Sequence, residues 1–438
     1  MVSVAEIGAA MKSVLTTVAT TAARESGFVQ RASKLTGALF VQTTVLGWLN
    51  NPNASLGNLT QVAAALGVTI SPQGLDQRFS RAAAETLQRV LQAAVAQVIS
   101  AEPVAIPVLA RFSAVILQDS STISLPTDLA TFWPGCGGSG GLVTAALKIH
   151  LRLDLLAGRL ADLLLETGRT SDRGSPLQKA PLARGALRIA DLGYFSLPQL
   201  RAIADQSAYF LSRLFGQTSV SDPDGARLDL ARILSTASAT PTDRLVLLGT
   251  TERLPARMIA VPVSQEVADQ RRRRLRASAR SRGKNERKAA LVLADWTILV
   301  TNVPGEMLAV DEALVLARVR WQIELLFKLW KQHGKLDEWR SQNPERILGE
   351  VYAKLTGLLI QHWLFLIGCW GFPDRSLVKA AQTVRTFTPL LISAFAGFLD
   401  APAAVDQIRR CLAAGCRMNH RKKEPNAYQL MLDLPNAA

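Results

Sequence analysis

The feature that most constrains the fold is a change of texture at Pro107 and again near Asp311. Before Pro107 the chain is rich in alanine, leucine, valine and glutamine, broken only at "NNPNASLGN" and "ISPQG", and reads as helical. After Pro107 it turns β-branched and alternating. "SAVILQDSSTISLP" reads as a strand, and "LKIHLRLDLLAGRLADLLLETG" as two strands joined around Ala157 and Gly158. "GALRIADLGYFSLPQLRAIADQ" reads as a short strand, a turn at Gly193 and a helix starting near Ser196 and Pro198. "RLVLLGT", "ARMIAVPVS" and "WTILVTNVP" add three strands, and from Asp311 onward the pattern is chiefly helical again. That order predicts an α/β protein with helical regions at both ends.

A chain of 438 residues with 48% hydrophobic residues can build several cores. The most apolar stretch, "LTGLLIQHWLFLIGCWGF" from Leu355, carries Gln361 and His362 in its middle and reads as a buried helix, not a membrane span. The N-terminus shows no secretory pattern, so a cytoplasmic protein is expected. Cys136, Cys369, Cys411 and Cys416 are too few and scattered for a disulfide framework. Cys411, Cys416 and His420 lack the paired spacing and fourth ligand of a structural zinc site. Four histidines leave little basis for histidine chemistry, so catalysis must rest mainly on carboxylates.

The formal net charge of +15 favours a polyanionic partner, most commonly nucleic acid, with a membrane surface as the competitor. More than half of that charge sits in "RRRRLRASARSRGKNERK", Arg271 to Lys288, within the strand-rich middle. Such a run can be a solvated face or a phosphate-binding surface, and its size beside catalytic-looking acids favours the second. "LTQVAAALGVTISPQGLDQRF", from Leu59, has the form of a helix and turn from a helix-turn-helix unit, with a plain helical bundle as the alternative.

Three acids stand apart. Asp119 shares the strand face of Val115 and Leu117, and Asp191 that of Leu187 and Ile189, each near a strand end. Glu324 lies in "RVRWQIELLFKLWKQHGKL". At 3.6 residues per turn, Arg320, Glu324 and Lys331 form one stripe beside the apolar stripe Val319, Ile323, Leu326 and Trp330. Taken alone, this segment is equally a surface helix with an Arg320/Glu324 pair. With the two aspartates it points to Mg²⁺ or Mn²⁺ held by oxygen ligands.

"VILQDSSTISLP", "LRIADLGYFS" and "VRWQIELLFKLWK" resemble the three catalytic segments of DDE transposases from bacterial insertion sequences, in the family numbered four. The resemblance covers about residues 115 to 335. It implies an RNase H-like core interrupted by a β-rich insertion, with Asp119, Asp191 and Glu324 as catalytic metal ligands for two ions per site. The family's tyrosine, arginine, glutamate, lysine signature would fall on Ala317, Arg320, Glu324 and Lys331, three of which match. The implied DNA-binding residues are Arg318, Arg320, Lys328 and Lys331 on the helix and Arg271, Arg272, Arg273, Arg274 and Arg276 in the basic run. Trp296 is the candidate platform for a base flipped out during hairpin formation, with a core aromatic as the alternative reading and Trp321 next in line. The expected domains are a helical DNA-binding region 1–108, core segments 109–206 and 301–385, a basic insertion 207–300 and a C-terminal region 386–438. The implied partners are double-stranded DNA, at terminal inverted repeats and at the target, with a dimer on paired ends and no membrane. A DDE nuclease without strand transfer and a catalytically silent DNA-binding protein are the rival readings.

Overall fold

The computed structural model describes residues 2–137, 143–237, 240–283, 285, 288–418 and 425–434. His420 of the zinc-like trio, and Lys284 and Arg287 of the basic run, lie outside these residues. The chain forms two compact units. The first comprises Met1–Ala105, Ser120–Thr170 and Gln322–Gln429; the second comprises Ile106–Asp119, Ser171–Trp321 and Leu430–Ala438. Packing thus groups segments far apart in sequence.

In the first unit, helices begin where short polar side chains accept from backbone amides that have no partner within the helix: Ser3 and Glu6 form a capping box, and Thr36, Ser80 and Asn343 cap later helices. Its centre is the helix Pro344–Gly368, nearly all of which is buried, including Gln361 and His362. This is the core helix expected from its interrupted apolar run. It packs on Gly37–Asn50 and Arg81–Val95. Gly368, at its end, permits one close approach, since a Cβ there would sit 2.6 Å from the Leu412 Cβ.

Strand β1 spans Val115–Leu125, β2 Ala145–Asp154 and β3 Leu160–Thr167. In the first unit the order is β3-β2-β1, with β2 and β3 antiparallel and turning at Gly158, whose φ is +70°. His362 hydrogen-bonds the Gly158 carbonyl at 2.6 Å, so the core helix pins that hairpin. The left-handed turn and the close approach of Trp370 both demand glycine there.

The second unit is built on a mixed sheet. Its further strands are β4 (Leu187–Ala190), β5 (Tyr209–Arg213), β6 (Val220–Ser221), β7 (Thr242–Leu248), β8 (Leu254–Pro262) and β9 (Trp296–Thr301). The order is β1-β4-β5-β9-β8-β7-β6, parallel across β1, β4 and β5 and antiparallel beyond. The helix Leu197–Asp205 makes the β4-to-β5 crossover, as a parallel pair requires. Phe195, Leu200, Phe210, Met258 and Val300 lie in the core of this unit.

Two segments take on structure that the sequence reading left open. The basic run from Arg271 to Ser281 lies in a helix, Gln265–Ser281, capped by Ser264, because arginine and alanine favour helix and no β-branched residue falls between Arg271 and Ser281. In the N-terminal region, Leu56–Ala65 is followed by Pro72–Asp76, a five-residue helix too short to serve as a recognition helix.

Candidate active site

The parallel ladder places the two aspartates. β1 and β4 pair from Val115↔Leu187 through Gln118↔Ala190, and the next residues are Asp119 and Asp191. Neighbouring strands lie about 4.8 Å apart, so two acids leaving the ladder at one level are forced close together. β1 itself continues to Leu125, so Asp119 marks the end of pairing with β4 and not the end of its strand. Asp191 follows the last residue of its strand and directly precedes the turn Leu192–Tyr194. The Asp119 side chain is 15% exposed and that of Asp191 49%.

Both acids meet one guanidinium. Arg320 Nη1 lies 3.1 Å from Asp119 Oδ2, and its Nη2 lies 3.9 Å from Asp191 Oδ1. Two adjacent carboxylates repel, and a shared cation relieves that repulsion. Arg320 follows the helix Val310–Val319, whose start is braced within the same unit. Arg111 grips Glu312 through two 2.7 Å contacts and donates to the Met307 carbonyl. Burial raises the Glu312 pKa, but the Arg111 fork and the Ala309 amide more than offset it and hold the carboxyl below its ordinary value. Arg257, paired with Asp243, donates to the carbonyls of Val303 and Leu308 and so fixes the approach to this helix.

The donor chemistry of the aspartate pair fits a hard divalent ion: two carboxylate groups already converge on a single positive charge. Among the described residues, no group of three or more His, Cys, Asp or Glu side chains is gathered as a metal cluster, so the fit rests on Asp119 and Asp191.

Glu324 falls in the first unit, half-buried in the first turn of the helix Trp321–Lys328. The expected apolar stripe is buried throughout, with Val319 and Ile323 at 0% exposure and Leu326 and Trp330 at 1%. The helix does not keep a 3.6-residue period, however. Leu329–His333 is a π-turn, which widens the spacing and carries Lys331 off a strict stripe with Glu324. Lys331 donates to the Thr122 carbonyl of β1 at 2.8 Å, while Lys328 is exposed. Beyond the π-turn, Lys354 of the core helix pairs with Glu350 of the same helix at 2.7 Å and reaches out to the carbonyls of Lys335 and Glu338. That clasp fixes the exit of the segment bearing Glu324 and Lys331.

The other predicted DNA contacts divide. Arg273, Arg274 and Arg276 are exposed on the basic helix, as is Arg318 on the helix before Arg320. Arg271 instead donates to the Trp296 carbonyl at 2.8 Å and to Thr297 Oγ1 at 3.1 Å. Arg272 pairs with Asp269 and Asp295. Both brace the helix against β9, because their positions point inward from its first two turns. Trp296 is 7% exposed and packs with Leu234 and Ala260, as a core aromatic does. Of the two tryptophans, Trp321 is the exposed one, at 54%.

Residues 111–360 match the family model described as Transposase DDE domain, more than half of the chain. The chain belongs to the DDE transposase family. It is 27% identical to the transposase for insertion sequence element IS231B of Bacillus thuringiensis subsp. berliner, over 77% of this chain and 75% of that one. The IS231D transposase of B. thuringiensis subsp. finitimus is 26% identical over 93% and 91% of the two chains. The IS1151 transposase of Clostridium perfringens is 23% identical over 77% and 76%. The matched family region contains all three acids and the helix of Arg320, so this DDE transposase is of the insertion-sequence type expected from its three segments.

Proposed function

We propose that this transposase binds the ends of its insertion sequence, hydrolyses the phosphodiester bond joining element to flanking DNA, and joins the freed 3′ ends to a target. The observation that carries the reading is the convergence of Asp119 and Asp191 on Arg320 at the level where β1 and β4 cease to pair. β1, β4 and β5 with the crossover helix form the first part of an RNase H-like core, and the segment through β6 to β9 with the basic helix is its insertion. Asp119, Asp191 and Glu324 are the metal ligands. Two Mg²⁺ or Mn²⁺ ions, when bound, supply an activated water and stabilise the leaving oxygen. Arg320 holds the aspartates together and, with Arg318, Lys328 and Lys331, offers positive charge to the phosphates flanking the cut. A hairpin intermediate, strand transfer and a dimer on paired ends complete the reading and rest on the family.

The test uses end-labelled DNA taken from the sequence flanking the gene. The expected result is Mg²⁺- or Mn²⁺-dependent cutting at the element's end, binding without cutting in Ca²⁺, and joining of the cut end to a plasmid target. Asp119→Ala, Asp191→Ala and Glu324→Ala should each abolish cutting and leave DNA affinity within a few-fold of wild type, because acids that hold metal are not the groups that hold phosphates. An active Asp191→Ala protein would sink the assignment, and cutting without joining would make the protein a nuclease.

A further inference from the structure

Little holds the side chain of Asp191. It is half-exposed, and Arg320, at 3.9 Å, is its nearest ion-pair partner among the described residues. Its position is therefore set by its backbone. The ladder with β1 stops at Ala190, and the Asp191 carbonyl then accepts from the Tyr194 amide at 2.9 Å to close the turn that follows. Whatever fixes that turn fixes the acid. Gln178 does so from the loop between β3 and β4. Its Nε2 donates to the Tyr194 carbonyl at 2.6 Å, and its Oε1 accepts from Arg188 Nη2. Arg188 leaves β4 on the face opposite Leu187 and Ile189, and its guanidinium stands 5.9 Å from the centre of the Tyr194 ring. Gln178, Arg188 and Tyr194 are all buried, so the three close on one another away from solvent. On another side the turn meets Asp172, whose Cγ would lie 3.2 Å from a Cβ at Gly193.

A guanidinium can only donate and a backbone carbonyl can only accept, so the residue between them must accept on one atom and donate on another. A carboxamide meets both demands at once. An ionised carboxylate would keep Arg188 and repel the carbonyl, and a thioether would hold neither. We propose that Gln178 is a positioning residue for the metal site: by gripping the Tyr194 carbonyl it keeps Asp191 level with Asp119, and so raises the affinity of the aspartate pair for a divalent cation. It acts through the backbone of the turn. The inference rests on the metal-ligand reading above.

Electron paramagnetic resonance of free Mn²⁺, titrated into the full-length protein without DNA, reads that affinity directly, and the Asp191→Ala protein supplies the baseline. Gln178→Glu is the deciding variant. It retains the bond to Arg188 and adds negative charge, which by itself would draw a cation in, yet it loses the donor to Tyr194. Its Mn²⁺ affinity should fall by about 10- to 100-fold, the range for groups that orient metal ligands from behind, with a melting temperature within about 5 °C of wild type. Gln178→Met should lose affinity to the same degree. In the cutting assay, half-saturating Mn²⁺ should rise by the same factor, while the rate at saturating Mn²⁺ stays within about threefold of wild type. Wild-type Mn²⁺ affinity in Gln178→Glu overturns the inference, as does a rate that stays low at saturating metal. Should the Gln178 variants fail to fold, Gly193→Ala decides, because its methyl group pushes the same turn away from Asp172 with Gln178 in place. Unchanged Mn²⁺ affinity there also overturns the inference. Wild-type protein whose Mn²⁺ binding only matches that of Asp191→Ala overturns the metal-ligand reading itself, and the inference with it.

Discussion

Replacing Lys354 by methionine should destabilise the protein by up to about 5 kcal/mol at pH 7 and by only about 3 kcal/mol at pH 5. The Lys354 and Glu350 side chains are 3% and 5% exposed, and their contact of 2.7 Å is the closest charge compensation Glu350 has. Burial raises the Glu350 pKa first, and Lys354 is the largest influence holding it down. Without Lys354 the carboxylate can escape its burial by taking a proton. From its ordinary value of 4.5 this costs about 3.4 kcal/mol at pH 7 and about 0.7 kcal/mol at pH 5, which caps that part of the loss. Arg346 and Arg340 also lower the Glu350 pKa, so the true loss lies under the cap. The carbonyls of Lys335 and Glu338 lose their shared donor, adding roughly 1 kcal/mol each at any pH. Urea unfolding followed by helical circular dichroism at both pH values measures the difference. Adding Glu350→Gln to Lys354→Met should restore most of the pH-dependent part. A deficit independent of pH, or no rescue by Glu350→Gln, would refute the account.

Three further outcomes follow from the packing. Complete burial, opposed by the bond to Gly158 and aided by the charge of Arg375, leaves the His362 pKa lowered to about 4. The unfolded imidazole titrates near 6.5, so the unfolded chain takes up its proton first as pH falls; stability is full above that value and declines toward pH 4. Between pH 7 and 5 the loss should be about 2 kcal/mol in urea titrations, and His362→Gln, which retains a donor for Gly158, should flatten it. Neutralising Arg273 and Arg274 together should reduce the salt slope of duplex binding by up to about 1.8, measured by anisotropy at several salt concentrations; an unchanged slope would mark the basic helix as a solvated face. Trp296→Ala should cost roughly 3 to 5 kcal/mol of stability in the same denaturation assay, and a protein that kept its stability yet lost only hairpin formation would support the base-platform role.

The parts of the molecule legible in the sequence are those governed by local pattern. Alternation located β2, β3 and β7 to β9, and the apolar stripe of Val319, Ile323, Leu326 and Trp330 predicted the buried face of its helix. Asp119 and Asp191 stood out because each ends a short apolar alternation, although only the register shows that they lie side by side. Contacts between distant segments were beyond reach. Nothing near Arg320 in sequence announces that it meets Asp119, 201 residues earlier, instead of forming only a local helical pair with Glu324. Likewise, charge density marked the whole basic run for DNA, yet Arg271 and Arg272 were claimed by β9 and its flanking loop through contacts that composition does not encode. Trp296 and Trp321 look alike in sequence. Strand register buried one, and the junction between two helices left the other in solvent.

The ladder between β1 and β4 also limits how this chain can vary in length. Inserting or deleting one residue between Val115 and Asp119 would turn the acid to the opposite face of the sheet and shift it out of level with Asp191. The same holds for the four residues Leu187–Ala190. The connection from Thr170 to Ala186 is held differently, by contacts and not by a ladder: buried Gln178 donates to the Tyr194 carbonyl and accepts from Arg188 of β4. The two short strands can therefore change their side chains but not their count.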